Sequence, residues 1–335
     1  MRLDLPRRPR RLRRSEAVRS LVRESRLHTD DLVMPLFVTA GEDVRDPIVS
    51  MPGQARLSVD RLVAEVRELQ DLGIRGVALF PVIPDRQKDP AASGALDPDG
   101  LYPRAIRALK DACPDVLVIT DVALDPYSSD GHDGLVRAGR IHNDATLAVL
   151  ADMAVVHAEA GADFIAPSDM MDGRVKAIRT RLDGAGVIGV GILAYTAKYA
   201  SNFYGPFRDA LDSAPRERRD VPPDKKTYQM DPANVREAMR EAALDLSEGA
   251  DILMVKPGLP YLDVVRAVRD RYPDAPLAVY NVSGEYAMVK AAAANGWLDE
   301  RPVVLETLGA FKRAGADIIL TYHARAAAEW LRAAS

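Results

Sequence analysis

The sequence predicts a (β/α)8 TIM barrel that carries an extended N-terminal arm. Along its 335 residues, eight short apolar runs alternate with segments whose apolar residues recur at helical spacing. Three similar junctions, AGAD (160–163), EGAD (248–251) and AGAD (314–317), each join a predicted helix to a predicted strand. Regular alternation of strands and helices is typical of a parallel sheet, and eight such pairs favour a closed barrel over a doubly wound sheet.

The elements follow in a regular order from residue 31. Ser58 is expected to cap the first long helix, and Gly73 is expected to end it in a left-handed conformation. Pro103 is expected at the first position of the next helix, and a longer helix is expected at about 146–160. We assign residues 31–335 to one barrel domain. Its strands are predicted at residues 32–38, 76–80, 116–121, 164–168, 187–195, 250–256, 277–280 and 317–322.

Residues 1–30 form the predicted arm. Arginines crowd the stretch from Arg7 to Arg14, and Ser15 is expected to cap a short helix around 16–24. Such a basic segment could contact nucleic acid, act as a transit peptide, or lie on a neighbouring subunit. Because the rest of the chain is not basic, the last alternative is favoured.

Composition limits the function classes. Hydrophobic residues make up 47% of the chain and charged residues 28%, and the formal net charge of -4 argues against nucleic acid or a membrane as a partner. The single cysteine, Cys113, can form neither an internal disulfide nor a cysteine cage for a metal. No apolar run is long enough to span a membrane, and no secretory signal is recognised. These observations predict a cytoplasmic protein.

The hexapeptide GAGVIG (184–189) matches the dinucleotide-binding pattern GxGxxG. That pattern must follow a strand and open a helix, whereas this hexapeptide follows a predicted helix and leads into a strand. We therefore interpret it as a helix-ending turn.

Two lysines stand at the carboxyl ends of predicted neighbouring strands, which is where barrels place their active sites. Lys256 ends the run ADILMVK (250–256), and Lys198 follows the fifth strand. Burial and mutual repulsion would lower the pKa of each amine toward neutrality and make it a nucleophile for a ketone. The alternative is that Lys256 extends from the strand end to the surface. Together, the two lysines predict a site that forms Schiff bases.

The segment after the first of these lysines, at about residues 199–228, is predicted to be an active-site lid. It has no apolar periodicity and carries Arg208, Lys225 and Lys226. The alternative is a solvated surface loop, which is less favoured because aromatic residues and a Gly-Pro pair accompany the basic residues. The positive charges predict substrates that carry carboxylates.

The third strand leads into an acidic loop, DVALDPYSSDGHDG (121–134), with four carboxylates and one histidine. This composition is compatible with an oxygen-ligated cation such as Mg²⁺ or with a turn-rich acidic loop, and the sequence leaves both open. The other histidines have no pairing at metal-ligand spacing.

Three long motifs point to a family. MVKPG (254–258), FYGPFRD (203–209) and APSDMMDG (166–173) resemble those of porphobilinogen synthases, also called 5-aminolevulinate dehydratases, and the resemblance extends from about residue 15 to the end. It implies a barrel whose arm embraces a neighbouring subunit. It also implies condensation of two 5-aminolevulinate molecules to porphobilinogen, with loss of water, in tetrapyrrole biosynthesis. The order of bond formation stays open.

The resemblance implies roles for individual residues. Lys256 matches the lysine that holds the first substrate as a Schiff base, Lys198 matches the lysine proposed to hold the second, and Asp121 matches a carboxylate beside them. Whether Lys198 becomes covalently bound in turnover stays open. The residues that match substrate-binding positions are Ser283, Tyr322, Ser168 and Tyr280 for the first molecule, Arg208, Lys225 and Gln229 for the second, and Phe203 in the lid motif.

The metal positions depart from those of zinc-dependent relatives. Where such relatives have three cysteines, this chain has Ala123, Asp125 and Asp133, so no zinc is expected. In relatives with this type of loop, Mg²⁺ often acts at an allosteric site whose ligand matches Glu241, while others need no metal, and both possibilities remain. Asp130 replaces a histidine of many relatives, and no metal ligand is assigned in the loop. The resemblance also implies a homo-oligomer, either a hexamer or an octamer, built of dimers.

Two other functions are compatible with a barrel lysine. A class I aldolase-type lyase would need one Schiff-base lysine and usually a phosphate site, and the second lysine and the basic lid argue against it. A non-catalytic barrel that serves as a binding module would leave Lys256 and Lys198 without a purpose.

Overall fold

A closed barrel of eight parallel strands forms the centre of the computed structural model, which describes residues 5–211, 213–216 and 220–333. Parts of the predicted arm, lid and C-terminus, at 1–4, 212, 217–219 and 334–335, lie outside the described residues. β1 pairs with β8 as well as with β2, which closes the ring and confirms the predicted fold class. The barrel strands are β1 (Leu32–Thr39), β2 (Gly76–Val82), β3 (Leu117–Val122), β4 (Phe164–Pro167), β5 (Gly191–Lys198), β6 (Ile252–Lys256), β7 (Leu277–Asn281) and β8 (Ile318–Thr321).

Helices follow the strands in turn. α6 interrupts the connection after β5, and α9 contacts α6 above the carboxyl ends of the strands. The helices are α1 (Glu16–Leu21), α2 (Val59–Asp71), α3 (Leu101–Ala112), α4 (Asn143–Glu159), α5 (Arg174–Gly184), α6 (Gly205–Leu211), α7 (Arg236–Glu248), α8 (Leu262–Arg271), α9 (Ser283–Ala294), α10 (Glu300–Ala314) and α11 (Ala324–Arg332).

The apolar core has two layers. One lies between strands and helices, where Leu62, Val66 and Leu69 of α2 are fully buried on the face that the helical spacing predicts. The other fills the barrel, where residues such as Phe80 and Met254 point inward. Burial of these side chains leaves the carboxyl ends of the strands as the place where polar side chains gather.

The predicted signals at the ends of α2 are partly confirmed. Gly73 has a positive φ of 89°, as expected for a residue that ends a helix. Ser58 does precede α2, but its hydroxyl accepts a hydrogen bond from the backbone N–H of Val44 (2.9 Å) and not from the helix. Ser58 therefore ties the short strand pair after β1, at Arg45–Pro47 and Ala55–Leu57, to the start of the helix.

The predicted starts of α3 and β5 are wrong by a few residues. Helix α3 begins at Leu101, so Pro103 is the third helical residue, which is tolerated because N–H groups of the first turn have no partner within a helix. Strand β5 begins at Gly191 because the N–H of Val187 still bonds to the carbonyl of Leu182 (3.0 Å) after α5. The hexapeptide 184–189 is thus a helix-ending turn, as predicted.

The three repeated junctions share a hydrogen bond that the sequence pattern does not predict. Each glycine has a positive φ, of 105°, 107° and 121° in chain order. The aspartate two residues later accepts an N–H bond from the start of the preceding strand, which locks adjacent strands together at the end of the barrel opposite the two lysines. These bonds join Asp163 to Val118 (2.7 Å), Asp251 to Ile192 (2.7 Å) and Asp317 to Leu277 (2.9 Å).

The described part of the arm lies on the surface. Residues 5–31 contain no buried residue, and Leu21 is among the most exposed apolar side chains. Ser15 caps α1 as predicted, with its hydroxyl accepting from the N–H of Val18 at 3.3 Å, but the helix ends already at Leu21. No helix within the described ranges is both long and apolar enough to cross a membrane.

Candidate active site

Lys256 is the last residue of β6 and is buried, with 5% of its surface exposed. Its backbone carbonyl accepts bonds from the N–H of Tyr199 (3.0 Å) and the hydroxyl of Tyr204 (3.2 Å), which fix the strand end. Among the described residues its Nζ has no hydrogen-bond acceptor. Four aromatic rings surround the amine, with centroids 4.4 Å (Tyr280), 4.9 Å (Tyr195), 5.1 Å (Phe207) and 5.4 Å (Tyr204) from Nζ.

These surroundings change the acidity of the amine. Burial, followed by the nearby charge of Lys198, lowers the pKa of Lys256 from its ordinary value near 10.5 to about 7, although the charge of Asp121 opposes the shift. At neutral pH a large fraction of Lys256 is therefore the free amine. A free amine in a buried aromatic pocket is a nucleophile for a carbonyl carbon.

Lys198 lies beside Lys256 but in a different electrostatic environment. The two lysines are register partners on β5 and β6, and Lys198 is 7% exposed. Its Nζ donates to the carbonyl of Ser168 and lies 3.3 Å from Oδ2 of Asp133. Lys198 is thus an ion-paired ammonium, whereas Lys256 has aromatic neighbours.

Two aspartates of the acidic loop respond to these charges in opposite ways. Burial raises the pKa of Asp121 to about 6, although Lys198 and Lys256 oppose the shift. Burial would also raise the pKa of Asp133, but Lys198 and Lys225 together outweigh it and lower the value to about 2. Asp133 is therefore a permanent anion at neutral pH, while Asp121 can exchange a proton near neutrality.

The side chain of Lys225, a residue of the predicted lid, contacts carboxylates of the acidic loop. Its Nζ is 3.2 Å from Asp125 and 2.5 Å from Asp133, and the residue is 6% exposed. The family resemblance implies that Lys225 holds a substrate carboxylate, but here two protein carboxylates contact it. The two aspartates at the positions of the zinc cysteines thus bind an internal cation. Within the described residues, no cluster of three or more His, Cys, Asp or Glu side chains could hold a metal ion.

The predicted lid contains a helix that the sequence pattern did not reveal. Helix α6 is held at both ends by distant residues: the hydroxyl of Ser283 accepts from the N–H of Phe207 (3.0 Å), and Arg56 donates to the carbonyls of Asp209 (2.8 Å) and Ala210 (2.7 Å). These contacts supply the capping that a helix of seven residues needs. Because Phe207 also contributes a ring to the pocket, α6 covers Lys256.

The remaining predicted substrate-binding residues lie around this pocket. Tyr280 and Tyr322 are buried, with their hydroxyls 3.0 Å apart, and the Ser168 hydroxyl hydrogen-bonds to Asp121. Phe203 precedes α6, and its carbonyl accepts a bond from Ser283 (3.4 Å).

Arg208 differs from the other cations of the site. It lies on α6 and is half-buried, and it forms no ion pair with any residue that the structure describes. Within the described part of the chain, no carboxylate would compete with a bound anion for its guanidinium.

Two predicted residues line another cavity. Gln229 and Glu241 both face a cavity of about 820 Å³ beside α7, which Asp172 and Glu237 also line. Burial raises the pKa of Glu241, and Arg174 opposes this shift. Glu241 thus lies apart from the lysine pocket.

Several contributors to the site went unrecognised at the level of sequence. Tyr195 lies three residues before Lys198 on the same strand, so strict alternation would place the two side chains on opposite faces. The register shift between β5 and β6 brings both to the pocket, and the sequence carries no signal of that shift. The role of Arg56 could not be predicted from local sequence, because the carbonyls that it binds on α6 lie about 150 residues away.

Comparisons with known proteins agree with this geometry. Residues 6–330 match the family model described as delta-aminolevulinic acid dehydratase. The chloroplastic delta-aminolevulinic acid dehydratase of Chlamydomonas reinhardtii is 56% identical over 333 residues, which cover 98% of this chain and 85% of that protein. The enzyme of Bradyrhizobium diazoefficiens is also 56% identical, with 98% and 92% covered. Among solved structures, the Toxoplasma gondii delta-aminolevulinic acid dehydratase in complex with the reaction product porphobilinogen superposes with a TM-score of 0.95 at 55% identity, with 98% and 92% covered.

Proposed function

The chain belongs to the delta-aminolevulinic acid dehydratase (porphobilinogen synthase) family, and we infer from this that it condenses two 5-aminolevulinate molecules to porphobilinogen, with loss of water, in tetrapyrrole synthesis. The observation that carries this proposal is the Lys256 amine, held in an aromatic pocket beside the ammonium of Lys198. A keto acid needs an amine for its ketone and a cation or hydroxyl for its carboxylate, and both kinds of group are present.

The first chemical step is imine formation. The nitrogen of Lys256 bonds to the ketone carbon of one 5-aminolevulinate, and the ketone oxygen leaves as water. Asp121, whose pKa is raised to about 6, is suited to accept and return the protons that this step moves. Loss of a proton from the carbon next to the imine then gives an enamine, the carbon nucleophile that the condensation needs.

Lys198 is proposed to act on the second substrate. As an ammonium bound to Asp133 it can donate a proton, and it must lose one before it forms an imine of its own. Lys198 can therefore form an imine with the second substrate only after its ammonium group has given up a proton.

The two substrate carboxylates are proposed to bind on opposite sides of the lysines. Ser283, Tyr322 and Tyr280 would hold the first, and the guanidinium of Arg208 would hold the second as the lid closes. For Lys225 to join Arg208, its ammonium would have to leave the acidic loop or reach the substrate from within it.

A pyrrole assay tests the function. Incubation with 5-aminolevulinate, followed by a colour reaction for pyrroles, should give product with the wild-type chain. An aldolase-type lyase would instead form an imine without releasing a pyrrole, and a binding module would form neither.

We propose that no zinc takes part. Lys225 already forms ion pairs with Asp125 and Asp133, and carboxylates in place of thiolates do not select zinc. Activity is therefore expected to be unchanged by 1,10-phenanthroline at concentrations that strip zinc from thiolate sites. The measurement is pyrrole formation with and without the chelator. Loss of activity that zinc restores and Mg²⁺ does not would refute the proposal.

A homo-oligomer with an allosteric Mg²⁺ site remains a proposal. The arm is exposed and basic, as expected for a segment that packs on another subunit, so deletion of residues 1–14 should give smaller assemblies. Glu241 offers one carboxylate and lies in no three-residue metal cluster of the described chain, so a site there would need water or ligands from a second copy.

If Mg²⁺ binds there, it should raise both the sedimentation mass and the specific activity, because a ligand stabilises the assembly that binds it better. Glu241→Ala should abolish this response and leave Mg²⁺-independent activity unchanged. Glu159→Ala, an exposed change on α4, is the matched control. An unchanged mass and rate of the intact protein with Mg²⁺ would mean that the metal-independent alternative holds.

We further propose that the chain works in the cytoplasm and needs neither nucleic acid nor a membrane as a partner. The net charge of -4 and the single buried Cys113 support this. Fractionation of cells that express the full-length protein would test the location.

A further inference from the structure

Glu285 is a buried carboxylate that the proposed chemistry does not use. It lies in the first turn of α9 and is 4% exposed. Its Oε2 accepts from the N–H of Val282 (2.6 Å) and of Gly258 (3.4 Å), and its Oε1 accepts from the N–H of Leu259 (2.6 Å). Burial raises the pKa of Glu285, and these three amides oppose the shift because they favour the ionised form.

Only one of these bonds belongs to the helix. A glutamate at the third helical position normally reaches back to the N–H of the residue before the helix, which here is Val282. The bonds to Gly258 and Leu259 instead reach the loop after β6, whereas α9 follows the neighbouring strand β7. Capping of α9 therefore does not account for them.

The two loops joined by Glu285 carry the two groups that would hold the first substrate. Gly258 is two residues after Lys256, and Val282 immediately precedes Ser283. The carbonyl of Lys256 is fixed on its other side by Tyr199 and Tyr204. Lys256 and Ser283 are thus each attached to a loop, and backbone amides of both loops donate to the Glu285 carboxylate.

We propose that Glu285 is a positioning residue that sets the distance between the Lys256 amine and the carboxylate grip at Ser283. This inference rests on the proposed function, in which one 5-aminolevulinate is held at its ketone and at its carboxylate by groups on different strands. Such a substrate reacts fast only when both ends fit at once, and a small displacement of one group relative to the other costs about 100-fold in rate.

A carboxylate suits this role better than an amide. An ionised carboxylate only accepts hydrogen bonds, so both of its oxygens can face backbone N–H groups. In Glu285→Gln an NH₂ group replaces one oxygen and faces an N–H. One short bond is therefore lost, the one from Leu259 if the NH₂ group replaces Oε1 or the one from Val282 if it replaces Oε2. In Glu285→Asp the side chain is one methylene shorter and cannot cap α9 and reach Leu259 together.

The test uses two ketones that probe Lys256 differently. Levulinate has the ketone and the carboxylate of 5-aminolevulinate, whereas acetone has the ketone alone. Borohydride trapping at Lys256, located by mass spectrometry, gives a rate for each ketone. In Glu285→Gln the ratio of the levulinate rate to the acetone rate should fall about 100-fold while acetone trapping persists. In the pyrrole assay, KM should rise and kcat should fall.

Asp317→Asn is the matched control. Asp317 accepts the N–H of Leu277 at the opposite end of β7 and pairs with Arg269, so its loss weakens the same strand away from the lysines. Its ratio of trapping rates should equal that of the wild type. Should Glu285→Gln fail to fold, Glu285→Asp takes its place.

The outcomes separate the two proposals. A wild-type chain that neither traps levulinate nor forms a pyrrole would overturn the proposed function. An active wild type with an unchanged trapping ratio in the folded Glu285 variant would overturn the role of Glu285 alone. An equal fall of the ratio in Asp317→Asn would also overturn it, because the effect would then be general loosening of the barrel.

Discussion

Replacing Lys256 by alanine is expected to lower turnover by about 10⁴-fold or more, because the substitution removes the amine that forms the imine. The reason is specific to this position: Lys256 has a pKa near 7 and lies within a pocket of four aromatic rings, whereas Lys198 and Lys225 are paired with carboxylates. The rate of pyrrole formation measures the loss. Borohydride reduction in the presence of 5-aminolevulinate should place the adduct on Lys256 in the wild type.

Arg208→Ala provides the contrast within the same pocket. Its guanidinium is proposed to bind the second carboxylate, so its loss should mainly raise the substrate concentration needed, by about 10-fold to 100-fold. Equal losses of kcat in the Lys256 and Arg208 variants would contradict these separate roles. An adduct found only on another lysine would contradict the assignment of Lys256.

The fold could be predicted because its signals are local. Helical spacing identified the buried face of α2, and the glycines of the repeated junctions identified helix ends. The adjacency of Lys198 and Lys256 also follows from chain order, since consecutive strands of a (β/α)8 barrel are neighbours and both lysines end their strands. The register that pairs them directly is a result of the structure.

The charge pairing could not be predicted in the same way. Lys225 lies 92 residues from Asp133 and 100 residues from Asp125, and no local pattern encodes such contacts. The motif resemblance gave Lys225 a substrate role without indicating its protein partners. Helix α6 was missed for a related reason, because the groups that hold its ends come from Arg56 and Ser283, far away in sequence.

These contacts divide the site into two electrostatic halves. Asp133 binds Lys198 and Lys225 and keeps positive charge on that side, while Lys256 is surrounded by aromatic rings and forms no ion pair with a described residue. The charge of Lys198 reaches across to Lys256 and, after burial, is the next largest cause of its lowered pKa. The side chain of Lys198 therefore has two separable properties, its charge and its primary amine.

Lys198→Met removes both properties and should lower turnover by about 10³-fold, the size expected for loss of a proton donor or second imine. It should also raise the pKa of Lys256, because one of the two leading causes of the lowered value is gone. Free amine increases as pH rises through the pKa, so the midpoint of borohydride trapping at Lys256 should move from about pH 7 to higher pH. Trapping at pH 7 should be slower than in the wild type, and trapping well above the new midpoint should be equal.

Lys198→Arg separates the two properties, because arginine keeps the charge and has no amine that forms an imine. The midpoint of trapping at Lys256 should stay near pH 7 in this variant. If turnover falls as far as in Lys198→Met, the primary amine of Lys198 is required, and if it recovers substantially, the charge is what the reaction uses. A midpoint that stays near pH 7 in Lys198→Met would contradict the electrostatic coupling itself, since burial alone would then set the pKa of Lys256.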